Sequence, residues 1–177
     1  MPINTKTKIL KVAQNLITQK SYSAVSISEI ADRVGITKSS IYHFFKNKES
    51  LYAQVIISYI ENSISIYSFK ENEKPSRRIL EIKIQEAIEY GKKNGSALGS
   101  FENINWSREN ATKIKKAFSD LYLTLYETLK KINVKNPEFS THLILDMSYV
   151  YIKKEKCGEQ KWKTEEFTKL LTNHLYA

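Results

Sequence analysis

The sequence predicts an all-α fold. Its 177 residues include only 5 Gly and 3 Pro, so few positions interrupt regular structure. Apolar residues recur at spacings of three and four, the period of a helix that buries one face. β-branched residues are plentiful, but no stretch keeps the strict apolar–polar alternation that is typical of a strand. Together these observations favour a protein built from amphipathic helices.

Composition and charge favour a globular protein with an anionic partner. The chain is 41% hydrophobic and 27% charged, and it is long enough to bury a core in one or two domains. Its net charge is +9, and residues 1–48 alone carry eight basic and two acidic residues. This concentration of positive charge near the N-terminus favours nucleic acid as the partner. An anionic membrane surface is the weaker alternative.

The same composition predicts a cytoplasmic protein without metal or cofactor. Cys157 is the only cysteine, which excludes an internal disulfide and fits a reducing compartment. The N-terminal residues lack the apolar run of a signal peptide, and no segment approaches the roughly 18 apolar residues of a membrane span. His142 and Cys157 are too few to close a metal site. We therefore expect neither a membrane association nor a bound metal.

The first two helices are predicted from an apolar stripe and from capping signals. The first spans about residues 5–20, and its stripe consists of Ile9, Val12, Ala13, Leu16 and Ile17. The second begins after Ser26. Ser26 and Glu29 have the spacing of a capping box, in which each side chain bonds the free backbone amide of the other residue. Gly35 is predicted to end this helix because glycine adopts left-handed backbone angles without strain.

The third and fourth helices follow directly. The third is predicted from a Thr37 cap to Phe44, with Ile36, Ile41 and Phe44 pointing inward. The fourth extends from Lys48 to about residue 69, with Asn47 as its cap. It carries two apolar rows, Leu51, Val55 and Tyr59 on one side and Tyr52, Ile56, Ile60, Ile64 and Tyr67 on the other. A helix that is apolar on two sides must pack on two sides, so we expect it to link two cores.

A polar segment over residues 70–74 is the predicted domain boundary, which divides the chain into 1–47, 48–69 and 70–177. Pro75 suits the first turn of a fifth helix that extends to about residue 93. The segment 96–107 is ambiguous. A long helix then extends to about residue 132, and its stripe consists of Ile114, Phe118, Leu121, Leu125, Leu129 and Ile132.

Two further helices are predicted at the C-terminus. Asn136 and Pro137 open the first as cap and first-turn residue, and its stripe consists of Phe139, Leu143, Met147 and Val150. Thr164 caps the last helix, over 165–176, which carries Phe167, Leu170, Leu171, His174 and Leu175 on one side. These stripes predict either contacts within the chain or contacts with a second copy.

Residues 26–45 have the pattern of a helix-turn-helix, in which two short helices are joined at a glycine. The second helix of such a motif lies in the DNA major groove, where its N-terminal side chains reach base edges. Lys38 can donate to guanine or to phosphate, whereas Thr37 and Ser39 can hydrogen-bond bases with little discrimination. The alternative for all three residues is an ordinary solvated helix face.

Phosphate contacts are expected at the starts of two neighbouring helices. Lys48 begins the fourth helix, where free backbone amides and the helix dipole already favour an anion, so its ammonium would complete a phosphate clamp. Ser26 and Ser28 begin the second helix and can reach a second phosphate. The primary expectation for these serines is to cap the second helix, with DNA contact as an additional role. The alternative to a phosphate contact for Lys48 is an ordinary solvated side chain.

This region resembles the tetracycline-repressor-like (TetR) family of transcriptional regulators. The resemblance covers about residues 8–51 and rests on Ile30-Ala31, on the run from Val34 to Lys38, on Ile41-Tyr42-His43-Phe44-Phe45 and on Lys48-Glu49-Ser50-Leu51. It implies an N-terminal three-helix DNA-binding domain and a C-terminal helical domain for ligand binding and dimerisation. It also implies that Tyr42 and His43 contact phosphate, with His43 also able to touch a base. Ser21 stands where the family usually has glycine, and Ser39 stands where the family often has glycine or alanine.

The resemblance further implies a homodimer and a small-molecule effector. A single helix-turn-helix contacts too few base pairs for useful specificity, so we expect a twofold dimer on a palindromic site. The predicted interface is the last two helices, about 137–154 and 164–176. An effector is expected to be apolar or aromatic, or an organic cation. The candidate lining residues are Tyr90, Phe101, Trp106, Phe118, Tyr122, Tyr126, His142 and Met147.

The sequence therefore predicts a sequence-specific, double-stranded-DNA-binding transcriptional regulator, most simply a repressor that an effector releases. It does not predict an enzyme, because its three histidines are scattered and it lacks zinc-ligand spacings and a phosphate-binding glycine loop. Two alternatives remain open. One is a regulator without an effector, and the other is a protein that coats any duplex with a steep salt dependence.

Overall fold

The computed structural model describes residues 4–94, 104–159 and 162–176. These residues contain helices and no strand, which confirms the all-α prediction. The helices are α1 (Thr5–Gln19), α2 (Ile27–Val34), α3 (Lys38–Phe44), α4 (Lys48–Tyr67), α5 (Arg77–Asn94), α6 (Arg108–Lys131), α7 (Pro137–Lys156) and α8 (Thr164–Tyr176). Within the described ranges, none of these helices combines the length and the apolar character that crossing a bilayer requires.

The chain forms two compact units. Unit 1 comprises Met1–Tyr59 and Asn94–Ala117, and unit 2 comprises Ile60–Lys93 and Phe118–Ala177. Helices α4 and α6 each contribute residues to both units. Both apolar rows of α4 are largely buried, as expected for a helix that serves two cores. The domain boundaries at residues 47 and 69 stay a prediction.

Helices α1 to α3 and the first half of α4 enclose the core of unit 1. The buried side chains of α1 are Ile9, Ala13, Leu16 and Ile17, which lie on the predicted stripe. Those of α2 are Ile27, Ile30, Ala31 and Val34. Helix α3 buries only Ile41, so its remaining surface is left for other contacts.

The inward anchor at the end of α3 differs from the prediction. Phe44 was expected to point inward, but it is 43% exposed, whereas Phe45 is 5% exposed. Phe45 is the C-cap residue and has an extended backbone, with φ −137° and ψ 121°. Because the helix ends there, the chain turns Phe45 into the core, four residues after Ile41, and leaves Phe44 outside.

The core of unit 2 is built largely on α6. The predicted stripe of α6 is buried at Leu121, Leu125, Leu129 and Ile132. Phe118 is an exception, because it is an exposed residue at the point where α6 enters unit 2. Leu80, Ile84 and Ile88 of α5 are also buried in this unit.

Helix α7 turns its predicted apolar stripe outward. Phe139, Met147 and Val150 are exposed and Leu143 is half-buried, so this stripe does not close the core of unit 2. The buried face of α7 consists instead of Ser140, Thr141, Ile144, Ser148 and Tyr151. On α8, Phe167, Leu171 and Leu175 are buried, whereas Leu170 and His174 are exposed. The exposed apolar side chains of α7 and α8 are together called the outer face below; they are Phe139, Met147, Val150 and Leu170.

Three helix starts differ in detail from the predictions. Pro75 lies before α5, and the Ser76 hydroxyl caps that helix by accepting from the Ile79 amide at 3.2 Å. Asn136 stands at the N-cap position of α7, but its side chain makes no capping hydrogen bond. Thr164 lies inside α8, and its hydroxyl donates to Glu89 of α5 at 2.7 Å. In this last case a contact between helices replaces a local cap.

Candidate nucleic-acid interface

Gly35 forms the turn between α2 and α3. Its backbone is left-handed, with φ 80° and ψ 39°. The Ile36 amide bonds the Ala31 carbonyl at 3.0 Å and the Gly35 amide bonds the Asp32 carbonyl at 3.2 Å, so the end of α2 has a Schellman motif. A Cβ on Gly35 would meet nothing within 4 Å, so the requirement for glycine here comes from backbone angle and not from crowding.

The turn leaves the N-terminal face of α3 open. Thr37 is the N-cap, and its hydroxyl accepts from the Ser40 amide at 3.2 Å. The Ser39 hydroxyl lies 2.8 Å from the same Thr37 oxygen. Lys38, Tyr42 and His43 are exposed. The candidate contact residues of α3 therefore share an accessible surface on a helix that Ile41 anchors.

The capping box at the start of α2 forms only in part. Ser26 Oγ accepts from the Glu29 amide at 3.0 Å, as predicted. The Glu29 carboxylate instead accepts from Lys20 at 2.7 Å and from Arg33 at 3.2 Å. The hydrogen bond from Lys20 is the main cause of the lowered pKa of Glu29. Ser26 can still donate its hydroxyl proton to an outside acceptor, and Ser28 is half-buried beside it.

Lys48 packs on an aromatic ring. Its Nζ lies 4.3 Å from the centroid of the Tyr22 ring and 3.5 Å from the Ser23 carbonyl oxygen. Partial burial lowers the pKa of Lys48, and burial likewise raises the pKa of Tyr22. Asn47 caps α4 as predicted, since its Oδ1 accepts from the Ser50 amide at 2.8 Å. The ammonium is thus held at the first turn of α4 by a cation–π contact.

Sequence reasoning did not assign Tyr22 this role. Tyr22 precedes Lys48 by more than twenty positions and no local spacing connects them, so only the packing of α1, α2 and α4 brings them together. The Tyr22 ring also meets the Tyr52 ring edge-on at 4.7 Å, and Tyr52 contacts Trp106 at 6.2 Å.

Glu49 joins the first turn of α4 to the first turn of α6. Its Oε1 accepts from the Ser107 amide and from Asn110 Nδ2, both at 2.8 Å. These hydrogen bonds, with that from Asn110 the largest cause, lower the pKa of Glu49. The carboxylate therefore caps α6 at its N-terminus. This contact lies within unit 1 and was not predicted.

Several of the basic residues counted near the N-terminus are engaged within unit 1. Lys8 donates to the Val34 carbonyl at 2.8 Å and so caps the C-terminal end of α2. Lys20 and Arg33 pair with Glu29. Lys38, the first residue of α3, and Lys46, two residues after its end, remain exposed. The charge count thus overstates the positive charge that is directed at a partner.

Three of the predicted effector residues meet in unit 2. Tyr126 and His142 line an open groove of about 550 Å³ with Asn136, Pro137, Glu138 and Phe139. Tyr122 packs on both of them, with ring centroids 6.4 Å from Tyr126 and 4.9 Å from His142. Burial is the main cause that raises the pKa of Tyr122, and the charge of Glu138 adds to it.

The other predicted effector residues do not line this groove. Trp106 packs on Tyr52 in unit 1, while Tyr90 lies half-buried on α5. Phe118 and Met147 are exposed, and Phe101 lies outside the described residues. In the part of the chain that the structure describes, no three His, Cys, Asp or Glu side chains are grouped as a metal site would need.

A family model described as bacterial regulatory proteins, tetR family, matches residues 9–55. The match spans α1, α2, α3 and the first turns of α4, so it covers the open face of α3 and the Gly35 turn. The N-terminal part of the chain, residues 9–55, is thus similar to the TetR family. This match confirms the functional class that the motif predicted, a DNA-binding transcriptional regulator.

Curated relatives of this chain are named as a repressor and as a negative regulator of transcription. It is 20% identical over 164 residues to the HTH-type transcriptional repressor KstR2 of Rhodococcus jostii, covering 89% of this chain and 78% of KstR2. It is 34% identical over 70 residues to IcaR, the negative transcriptional regulator of the biofilm operon icaADBC in Staphylococcus aureus. That second alignment covers 38% of each chain.

Solved structures of transcriptional regulators have a similar fold. The fatty acid degradation regulator FadR from Bacillus halodurans has a TM-score of 0.77 at 16% identity, covering 100% of this chain and 97% of that one. FadR from Bacillus subtilis, solved in complex with stearoyl-CoA, has a TM-score of 0.71 at 18% identity, with coverages of 96% and 97%. At these identities the likeness establishes the all-α architecture beyond the N-terminal motif.

Proposed function

We propose that this protein is a transcriptional repressor that binds a palindromic operator as a homodimer and is released by a small-molecule effector. The observation that carries the proposal is the exposed face of α3, which the Gly35 turn and the buried Ile41 hold in place. A short rigid helix with polar and basic side chains on its open side fits the major groove. The proposed site of action is the cytoplasm.

The proposed contacts divide into base readout and backbone positioning. Lys38, with Thr37 and Ser39, stands at the N-terminal end of α3, from which side chains reach base edges. Tyr42 and His43 follow on the exposed side and are proposed to contact phosphates. Lys48, with Ser26 and Ser28, is proposed to hold phosphates next to the groove that α3 reads.

The outer face supports a homodimer through α7 and α8. Phe139, Met147 and Val150 are large apolar side chains that unit 2 leaves exposed, and Leu170 of α8 is exposed as well. Exposed apolar patches of this kind are typical of association surfaces. A second copy is the occupant that a palindromic operator requires, because each half-site needs its own α3.

The effector is proposed to bind the DNA-competent and the DNA-incompetent conformations of the protein with different affinities. FadR of Bacillus subtilis, whose crystal structure holds stearoyl-CoA, has the same fold and shows that this architecture accommodates a small molecule. In this chain Tyr122, Tyr126 and His142 form the proposed aromatic part of the ligand site. An apolar or aromatic effector fits these rings.

Footprinting on the DNA that flanks the coding region tests this proposal. A protected site with twofold symmetry, bound far more tightly than random duplex of the same length, is the expected result. Equal affinity for every duplex would instead support a sequence-indifferent coating protein. A symmetric footprint that no apolar or aromatic compound weakens would support a regulator without an effector.

Lys38→Ala is expected to weaken binding mainly to the operator, by about 1–3 kcal/mol, because Lys38 is proposed to read a base. The measurement is a titration of operator and random duplex with both proteins at one salt concentration. Equal losses on the two duplexes would reassign Lys38 to a phosphate.

Lys48→Met is expected to weaken binding to all sequences and to lower the slope of log affinity against log salt by about 0.9 for each protomer. Methionine keeps the stem of the side chain on Tyr22 and removes only the charge, so packing in unit 1 is retained. Lys20→Met, which removes a lysine paired with Glu29, serves as the matched control. An unchanged slope in Lys48→Met would refute the phosphate clamp.

A further inference from the structure

A second basic element of unit 1 lies beside the proposed DNA-binding surface. Residues 108–117, the part of α6 that belongs to unit 1, contain four basic residues and one acidic residue. These are Arg108, Lys113, Lys115, Lys116 and Glu109. None of them belongs to the helix-turn-helix or to the region that the family model matches. Their charge adds to that of residues 1–59 within one compact unit.

The Glu49 carboxylate fixes where this element begins. Glu49 immediately follows Lys48, and it accepts from the Ser107 amide at 2.8 Å. The same oxygen accepts from Asn110 Nδ2 at 2.8 Å, so the first turn of α6 lies against the first turn of α4. Trp106 contacts Tyr52 on the same side, at 6.2 Å between ring centroids. Arg108 therefore starts α6 next to the helix end that carries Lys48.

Lys46 precedes the first residue of α4 by two positions. The pKa of Glu109 is lowered first by its hydrogen bond from Lys113, at 2.5 Å, and further by the positive charge of Lys46. Lys46 is exposed in the segment between α3 and α4. This segment joins α3 to the first turn of α4, against which the first turn of α6 lies.

Arg108 is the basic side chain of this turn that lacks an acidic partner among the described residues. Glu109 pairs with Lys113, and Glu49 is held by Ser107 and Asn110. The exposed guanidinium of Arg108 is thus left to solvent. Arginine binds phosphate oxygens through two parallel hydrogen bonds. An exposed guanidinium without an acidic partner is therefore well suited to bind a phosphate group.

We propose that Arg108 and Lys46 bind the DNA backbone outside the helix-turn-helix contacts. The DNA-contacting surface of each protomer then includes the N-terminal turn of α6. The proposed partner is duplex DNA, and the contacts are to phosphate, independent of base sequence. This inference rests on the proposed DNA-binding function and enlarges its surface. It assigns to α6 a direct contact with DNA.

The test compares Arg108→Ala and Lys46→Ala with Lys115→Ala on operator and random duplex over a range of salt concentrations. Lys115 lies seven residues after Arg108 on the same exposed side of α6, about 10 Å further along the helix, and its loss removes the same charge. Each test variant is expected to lower the slope of log affinity against log salt by about 0.9 per protomer on both duplexes, whereas Lys115→Ala leaves it unchanged.

Hydroxyl-radical footprinting supplies a second measurement. Arg108→Ala is expected to remove backbone protection at one position in each half-site and to leave the remaining protection intact. Wild-type slopes and an unchanged footprint in both Arg108→Ala and Lys46→Ala would overturn the inference while leaving the proposed function in place. A wild-type protein without operator preference would instead overturn the proposed function itself.

Discussion

Leu170→Glu and Met147→Glu are each expected to split the proposed homodimer and to lower operator affinity by about two orders of magnitude. Both residues belong to the outer face, which is the proposed dimer interface. Twofold symmetry would bury each substituted carboxylate twice in that interface. An unpaired carboxylate in an apolar interface costs several kcal/mol. The separated protomers would then lose the gain from binding two half-sites together.

The measurements are sedimentation velocity for the oligomeric state and operator titration for affinity. Leu123→Glu on α6 is the matched control, because Leu123 is 53% exposed and Leu170 is 52% exposed. The same chemical change at equal exposure, but outside α7 and α8, should leave a dimer with wild-type affinity. Dimers of full operator affinity in both test variants would show that the outer face is not the interface.

Lys83→Met is expected to lower the free energy of unfolding by about 3 kcal/mol. Lys83 is 3% exposed on α5, and its Nζ donates to the Ile66 and Ser68 carbonyls at 3.1 and 2.7 Å. It also pairs with Glu73 at 2.7 Å. Methionine fills the space but removes the Lys83 donor from two carbonyl oxygens near the end of α4. It also leaves the Glu73 carboxylate with the Lys70 amide and without a positive partner at this position.

Chemical denaturation measures this effect, with Lys130→Met as the control. Lys130 pairs with Glu127 at 3.4 Å on an exposed surface, so its loss should cost less than about 0.5 kcal/mol. Lys83→Met combined with Glu73→Gln should recover part of the lost stability because it removes the uncompensated charge. Equal midpoints for Lys83→Met and Lys130→Met would contradict a stabilising role for the buried lysine.

The pH dependence of unfolding provides an independent measurement of the same pair. The hydrogen bond from Lys83 is the main cause that lowers the pKa of Glu73 below its ordinary value of 4.5. A lowered native pKa adds stability above the unfolded value, and that stability is lost as the pH falls through the native value. We expect Lys83→Met to reduce the loss of stability below about pH 4.5.

Local chemistry made the DNA-binding motif predictable. Ser26, Gly35 and Thr37 act on backbone groups a few positions away, so their spacing in the sequence already specifies where α2 ends and α3 begins. Asn47 is a further example, since its side chain bonds the Ser50 amide as expected. The exposed face of α3 follows from these turns together with one buried residue, Ile41.

Contacts between distant segments could not be predicted in this way. The Glu29 carboxylate fits a local capping box, but Lys20 from α1 competes for it and holds it at 2.7 Å. Phe44 and Phe45 are equally apolar, and the extended backbone after α3 decides which of them is buried. The contacts of Lys48 with Tyr22 and of Glu49 with Ser107 have no signature in sequence spacing.

The sequence by itself determined the helical class, the glycine turn and the positive charge near the N-terminus, because these depend on composition and on hydrogen bonds between near neighbours. The tertiary structure decided which helix face of α7 is buried, which lysines are engaged and how α6 meets the start of α4. These properties depend on which segments pack together. Side chains far apart in sequence compete for the same partners there, and periodicity along one helix does not record the outcome.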